Sequence, residues 1–255
     1  MTTNRDIFGA LCELAPLHLQ TDFDNAGFQL GHPDREVGCV LLALDVTDAV
    51  AQEAKERGAG LIVSHHPLLF SPLRAVTDEE PVQKRVLFLL ENGIGVISMH
   101  TNLDIAEGGV NDVLIRLLGA EPEAPLDPDG CGRIGTLPEP VLLTVFLERC
   151  KEVLGVPALR YVKGEELVSR VAVMGGAGAG SIEEAVRKGC DTYVTADVKY
   201  HQFQRAAEYG LTLIDADHFY TENPVIPVLR EKLSAKFHDV QFLESRVHTD
   251  CIRFS

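Results

Sequence analysis

Two similar strand–helix–strand patterns, 131 residues apart, constrain this chain more than any other feature. The first runs VLLALD (40–45), TDAVAQEAKER, Gly58 and LIVS (61–64). Short apolar runs on either side of a segment that can be capped by Thr47 and stopped by Gly58 read as strand, helix and strand. The second pattern runs VAVMGG from Val171, Ser181 with Glu184 three residues on, Gly189, and DTYVTAD. The Ser181 and Glu184 spacing predicts a capping box opening a short helix that Gly189 ends. In this alignment Gly58 falls on Gly189, Ile62 on Tyr193, Val63 on Val194, Ser64 on Thr195 and His66 on Asp197.

The correspondence continues beyond each unit. QKRVLFLLENG leads into IGVISMHTNLD, and HQFQRAAEYG leads into LTLIDADHFYTE; both end in a histidine followed four residues later by a carboxylate, His100 with Asp104 and His218 with Glu222. The expected fold is therefore α/β, with two related halves produced by internal duplication and mixed sheets covered by helices. The halves are expected over 1–125 and 126–255, with the C-terminal segment packing back on the first. The proline-, glycine- and acid-rich stretch AEPEAPLDPDGCGRIGTLPEP (120–140) is the expected linker.

Composition narrows the function classes. The chain has 255 residues and 45% hydrophobic content, enough for a substantial core. Its 38 acidic residues against 23 basic ones give a net charge of −15, which repels nucleic acid and anionic membranes. No stretch has the uncharged length of a signal peptide core or a transmembrane helix, so a cytoplasmic protein is expected. The six cysteines, Cys12, Cys39, Cys131, Cys150, Cys190 and Cys251, are scattered without a CxxC and read as reduced thiols. A metal would accordingly be held by nitrogen and oxygen.

LIVSHHPLLF, residues 61–70, places two imidazoles where a buried strand ends. Pro67 biases His66 toward extended backbone, and the strand delivers both histidines to its carboxyl end, where α/β folds place ligands. Neighbouring side chains on a strand point oppositely, so two ions side by side, one on each imidazole, fit better than one ion on both. Asp104 or Glu222 could bridge such a pair. His65, His66 and His218 with Asp104 and Glu222 thus form a candidate two-metal set, expected at the carboxyl ends of strands between the halves, with roughly 3.5–4 Å between ions. His18, His32, His238 and His248 have no such context and read as structural or solvent-facing.

The segments FDNAGFQLG, SHHPLLF, HTNLD with GGVND, GGAGAG, TADVKYH and HFYTE occur in the order found in the YbgI-like family, described as GTP cyclohydrolase I type 2 homologues or dinuclear metal-center proteins, and the chain resembles that family from about residue 7 onward. The resemblance implies two divalent metal ions per chain (zinc, iron, manganese or nickel) on His65, His66, Asp104, His218 and Glu222. It gives His100 a role beside the metals or as a proton shuttle. It also implies a ring-shaped homohexamer with the centres facing an internal cavity. Two positions depart from the family pattern: Phe23 stands where tryptophan is usual, a change expected to alter packing only, and Asp217 stands where glycine is common, adding negative charge beside the site.

Paired cations acidify a shared water and polarise the bond it attacks, so hydrolysis of a small-molecule substrate, a nucleotide among the candidates, is the implied reaction class. By resemblance the substrate would be GTP, opened at the imidazole ring of guanine. His100 or His201 would move protons and Lys199 would meet phosphate. Two alternatives stay open: a metal-dependent phosphoesterase or other small-molecule hydrolase, and a metal-binding regulatory scaffold without turnover.

Overall fold

Strands four or five residues long with no polar face persist only where helices cover both sides of the sheet, and β2, β3 and β4 of this protein are of that kind. The computed structural model describes residues 1–253. Its elements begin with α1 (Asn4–Leu14), β1 (Gly27–Leu30), β2 (Cys39–Ala43), α2 (Asp48–Glu56), β3 (Leu61–Ser64), α3 (Pro81–Glu91), β4 (Gly95–Ser98) and α4 (Thr101–Ile105). There follow α5 (Val110–Leu117), β5 (Ala124–Pro125), β6 (Arg133–Leu142), α6 (Leu143–Leu154), β7 (Arg160–Val162) and β8 (Leu167–Val173). The chain continues with α7 (Ile182–Arg187), β9 (Thr192–Thr195), α8 (Tyr200–Glu208), β10 (Thr212–Asp215), α9 (His218–Glu222), α10 (Val225–Lys236) and β11 (Gln241–Glu244). Two compact units result, one of Met1–Ala106 with Ile226–Thr249, the other of Glu107–Val225 with the chain from Asp250.

The first unit holds a five-stranded sheet in the order β1-β4-β3-β2-β11. Strands β11, β2, β3 and β4 run parallel, and β1 closes the edge antiparallel to β4. Thr47 caps α2 by accepting from the Val50 amide at 3.2 Å, and Gly58 ends the turn beyond it at φ +70°. Burial of Val50, Ala51 and Ala54 against Leu41, Ile62 and Val96 fixes that helix on the sheet.

The second unit holds a six-stranded sheet in the order β5-β6-β8-β9-β10-β7. Its β8, β9 and β10 are parallel, β7 is antiparallel to β10, and β6 is antiparallel to β8. Alternate residues of β8 feed opposite faces: Val171 and Val173 join Phe146 and Leu114, whereas Ala172 joins Tyr193 and Ile182. Each unit therefore repeats three parallel strands with two crossover helices and one antiparallel strand outside the third. The duplication read from the sequence is present as two mixed sheets covered by helices. The units differ at the opposite edge, where the first adds a parallel strand and the second an antiparallel one.

Two local expectations are corrected. Residues 120–140 are not a linker: β5 and the ten-residue β6 belong to the second sheet. Pairing with β8 supplies order that the composition does not signal, and buried Arg133 forms an ion pair with buried Asp112. The register of β6 breaks between Thr136 and Val141, where Pro138 and Pro140 cannot donate to a ladder. The Ser181 capping box does not form either. A short 3-10 turn over Ala179–Ser181 leads directly into α7, and Ser181 makes no side-chain cap bond. Among the described residues no helix is long and apolar enough to cross a membrane.

Candidate metal centre

In the first unit β3 and β4 lie in parallel register, Ser64 opposite Ser98, and their hydroxyl oxygens are 2.8 Å apart. The chain bends immediately after Ser64. The His65 and His66 amides both donate to the Leu44 carbonyl, at 3.2 and 2.9 Å, and the Ser64 hydroxyl donates to the His66 carbonyl at 2.9 Å. This bend cancels the opposite-pointing expectation for the two histidines, because neither continues the pleat of β3. Their ring centroids lie 5.0 Å apart, and each is within 6 Å of the His100 ring. His65, His66 and His100 each offer one ring nitrogen within 4.8 Å of the others.

Every imidazole in this cluster is held from behind. His65 Nδ1 is 2.8 Å from the Met99 carbonyl, His66 Nδ1 is 2.7 Å from Asp45, and His100 Nδ1 is 2.7 Å from Asp24. Occupying Nδ1 in this way fixes the ring and leaves Nε2 to face a ligand, the arrangement found behind metal-binding histidines. Asp104, one helical turn past His100, puts Oδ1 3.6 Å from His65 Nε2. Burial works to raise the Asp24 pKa, but its bonds to His100 and Thr101 outweigh that and hold it at about 2. Asp45 is similarly held below the usual carboxylate range: burial opposes the charge, and bonds from His248 and His66 prevail.

In the second unit β9 and β10 end at equivalent positions. The two described non-glycine residues with positive φ follow them, Asp197 at 55° and Asp217 at 68°. The Asp217 backbone explains why glycine suits this position. Its carboxylate caps α9 by accepting from the Phe219 amide at 3.1 Å. One turn of α9 then sets His218 Nε2 3.2 Å from Glu222 Oε2, while His218 Nδ1 lies 2.9 Å from Asp197. Burial lowers the His218 pKa, yet bonding and charge from Glu222 and then Asp197 reverse this and raise it to about 9. A potential that favours an imidazolium so strongly also favours a metal cation.

The Gly-rich segment joins this pair. Gly176 has φ +63°, and a Cβ there would lie 2.1 Å from Glu222 Oε1 and 3.0 Å from His218 Nε2. Its amide donates to Thr221 Oγ1 at 3.0 Å, and the Gly175 amide donates to Asn111 Oδ1 at 2.9 Å. Residues from GGVND, GGAGAG and HFYTE are thus bonded together.

Lys199 and His201 stand exposed at the start of α8, and His201 belongs to no group of described residues able to share an ion. His248 fits its structural reading: it is part-buried with its side chain 5% exposed, and Nε2 lies 3.3 Å from Asp45 Oδ2. Sequence reasoning placed Asp24, Asp45, Asp197 and Gly176 inside its motifs, with Asp197 aligned on His66, but gave none of them a role at the site. The signal available was position: Asp45 and Asp197 are acids at the carboxyl ends of the apolar runs VLLALD and DTYVTAD, and Asp24 is the acid inside FDNAG.

The donor set consists of imidazole nitrogens and carboxylate oxygens, each ring braced through its other nitrogen, and it fits a divalent transition metal. The molecule is thus an α/β protein with histidine and carboxylate groups that could hold a metal. It belongs to the Duf34/NIF3 (NGG1p interacting factor 3) family, whose model matches residues 2–251. The chain is 34% identical to the GTP cyclohydrolase 1 type 2 homolog of Clostridium perfringens over 98% of each chain. Among solved structures it matches a Bacillus cereus protein related to NIF3 with a TM-score of 0.88 at 27% identity, covering 100% of this chain and 99% of the other. Protein ybgI, of unknown function, shares the fold with a TM-score of 0.86 at 24% identity, over 96% and 98% of the two chains.

Proposed function

We propose that this protein is a hydrolase dependent on two divalent metal ions per chain, with His65, His66, Asp104, His218 and Glu222 as ligands. The observation that carries the reading is the bracing of four histidines through Nδ1, three by carboxylates and one by a backbone carbonyl. Bracing of this kind orients Nε2 and raises its basicity. Divalent ions on such donors supply Lewis acidity that brings the pKa of water toward about 7.

The substrate in this proposal is GTP, opened at the guanine imidazole ring with loss of formate, and the name carried by the Clostridium perfringens relative supports the choice. His100, its Nδ1 held by part-buried Asp24, takes and returns a proton at Nε2. Lys199 is assigned to phosphate and His201 to proton movement. A homohexamer in the cytoplasm completes the proposal.

Metal analysis of protein purified without added metal tests the ligand set. Close to two metals per chain are expected, with clear loss in His65→Ala and in Glu222→Ala; unchanged content in both variants overturns it. Formate release from GTP by metal-loaded protein tests the reaction. Phosphate release from simple esters without formate would instead make it a phosphoesterase, and no turnover with either would leave a metal-binding scaffold.

A further inference from the structure

The first unit carries two large aromatic side chains that are exposed to solvent side by side, next to the histidine cluster. Phe23 is 67% exposed and Phe70 51% exposed, and their ring centroids are 6.4 Å apart. Phe23 therefore packs against Phe70 at the surface rather than inside a core.

The backbones beneath the two rings are tied to each other and to the histidine cluster. The Asn25 side-chain amide donates to the Leu69 carbonyl, and the Leu69 amide donates to Gln29 Oε1 at 2.9 Å. Asp24, between Phe23 and Asn25, accepts from the Thr101 amide at 3.0 Å while holding His100. The rings continue inward without a gap: Phe70 meets the His100 ring edge-on at 6.2 Å, and His100 lies 5.2 Å from His65 and 5.7 Å from His66.

A contiguous exposed aromatic pair beside a polar cluster marks a place where a ligand or partner can bind. By themselves two phenyl rings, at about 150–250 Å² each, do not make the roughly 800 Å² per partner of a stable protein interface, whereas they are enough for one small ligand. A flat heteroaromatic ring matches their size. It would gain stacking from rigid side chains that lose little entropy on binding, while sitting within one ring's width of the histidine cluster.

We infer that Phe23 and Phe70 form a stacking platform for the base of a purine nucleotide, and that this platform sets the protein's preference for nucleobase-containing substrates. The inference rests on the hydrolase reading for its substrate class, and it adds the residues that recognise the base.

The chain contains no tryptophan, so Phe23→Trp in the full-length, metal-loaded protein gives one indole at the platform. Its fluorescence should be quenched saturably by GTP and by guanosine, and far less by ribose 5-phosphate. Adding Phe70→Leu should weaken GTP binding roughly tenfold, as loss of one stacking partner does, with metal content unchanged. In the parent background Phe70→Leu should raise KM for GTP far more than it lowers kcat. Equal quenching by ribose 5-phosphate, or GTP affinity untouched by Phe70→Leu, overturns the platform. So does dissociation of the oligomer by Phe70→Leu in light scattering, which would make the surface a contact between copies. Base-dependent quenching without formate release keeps the platform and removes the cyclohydrolase reading; normal formate release with unchanged KM in Phe70→Leu does the reverse.

Discussion

Gly176→Ala provides the sharpest probe of the His218–Glu222 pair. Gly176 sits at φ +63°, where an L-residue loses about 1–2 kcal/mol against glycine. Its added methyl would also sit 2.1 Å from Glu222 Oε1, a separation real contacts do not reach, so the carboxylate must retreat by about 1 Å. Glu222 is only 4% exposed and has little room for such a shift. Gly189→Ala separates the two effects, since Gly189 has a nearly identical φ of +71° with nothing within 4 Å of its would-be Cβ. Backbone strain alone should lower the Tm of Gly189→Ala by roughly 2–8 °C, with metal content at the parent level. Gly176→Ala should show a larger fall and a loss of metal affinity on the order of 10–100-fold. Circular dichroism melts and competition with a chromophoric chelator read the two quantities. If the variants melt together and bind metal equally, Gly176 does not shape the position of Glu222.

Other perturbations test other parts of the molecule. Asp45→Asn replaces the carboxylate that braces His66 and His248, and metal affinity should fall roughly 10–100-fold in the same chelator assay, with folding retained by circular dichroism. Glu53 is buried, and although burial opposes its charge, bonds from Ser245, Arg246 and Arg57 hold its pKa below the usual carboxylate value. Its stabilisation is therefore complete above the unfolded pKa of about 4.3 and is lost as pH falls through the lower folded value. Urea unfolding from roughly pH 3 to 7 should show a shallower loss of stability toward acid for Glu53→Gln than for the parent. Phe146→Ala, at a side chain with no exposure in the second unit's core, should cost about 3–5 kcal/mol in the same assay, and a cost near zero would contradict the packing described.

The repeated strand and helix pattern was legible because it depends on local chemistry. Apolar runs of four or five residues, Thr47 as a cap and Gly58 as a stop mark β2, α2 and β3 in the local sequence, although packing on the sheet is what stabilises them. The same holds for His218 and Glu222, whose spacing of four brings them together on one turn of α9. Residues 120–140 were misread because proline and acid content report what a segment does alone, whereas β6 is ordered by hydrogen bonds to β8 across some thirty residues of chain.

Sequence by itself therefore determined the duplicated α/β architecture and the residue types available for a metal. Tertiary structure decided how those residues are aimed. The Leu44 carbonyl bends the chain so that His65 and His66 converge; Asp24, Asp45 and Asp197 take up the Nδ1 nitrogens from 76, 21 and 21 residues away; and Gly176 clears the space that Glu222 fills. Spacing along the chain carries information over one helical turn or one strand pleat. Ligand orientation depends on contacts that only the closed fold brings within hydrogen-bonding range.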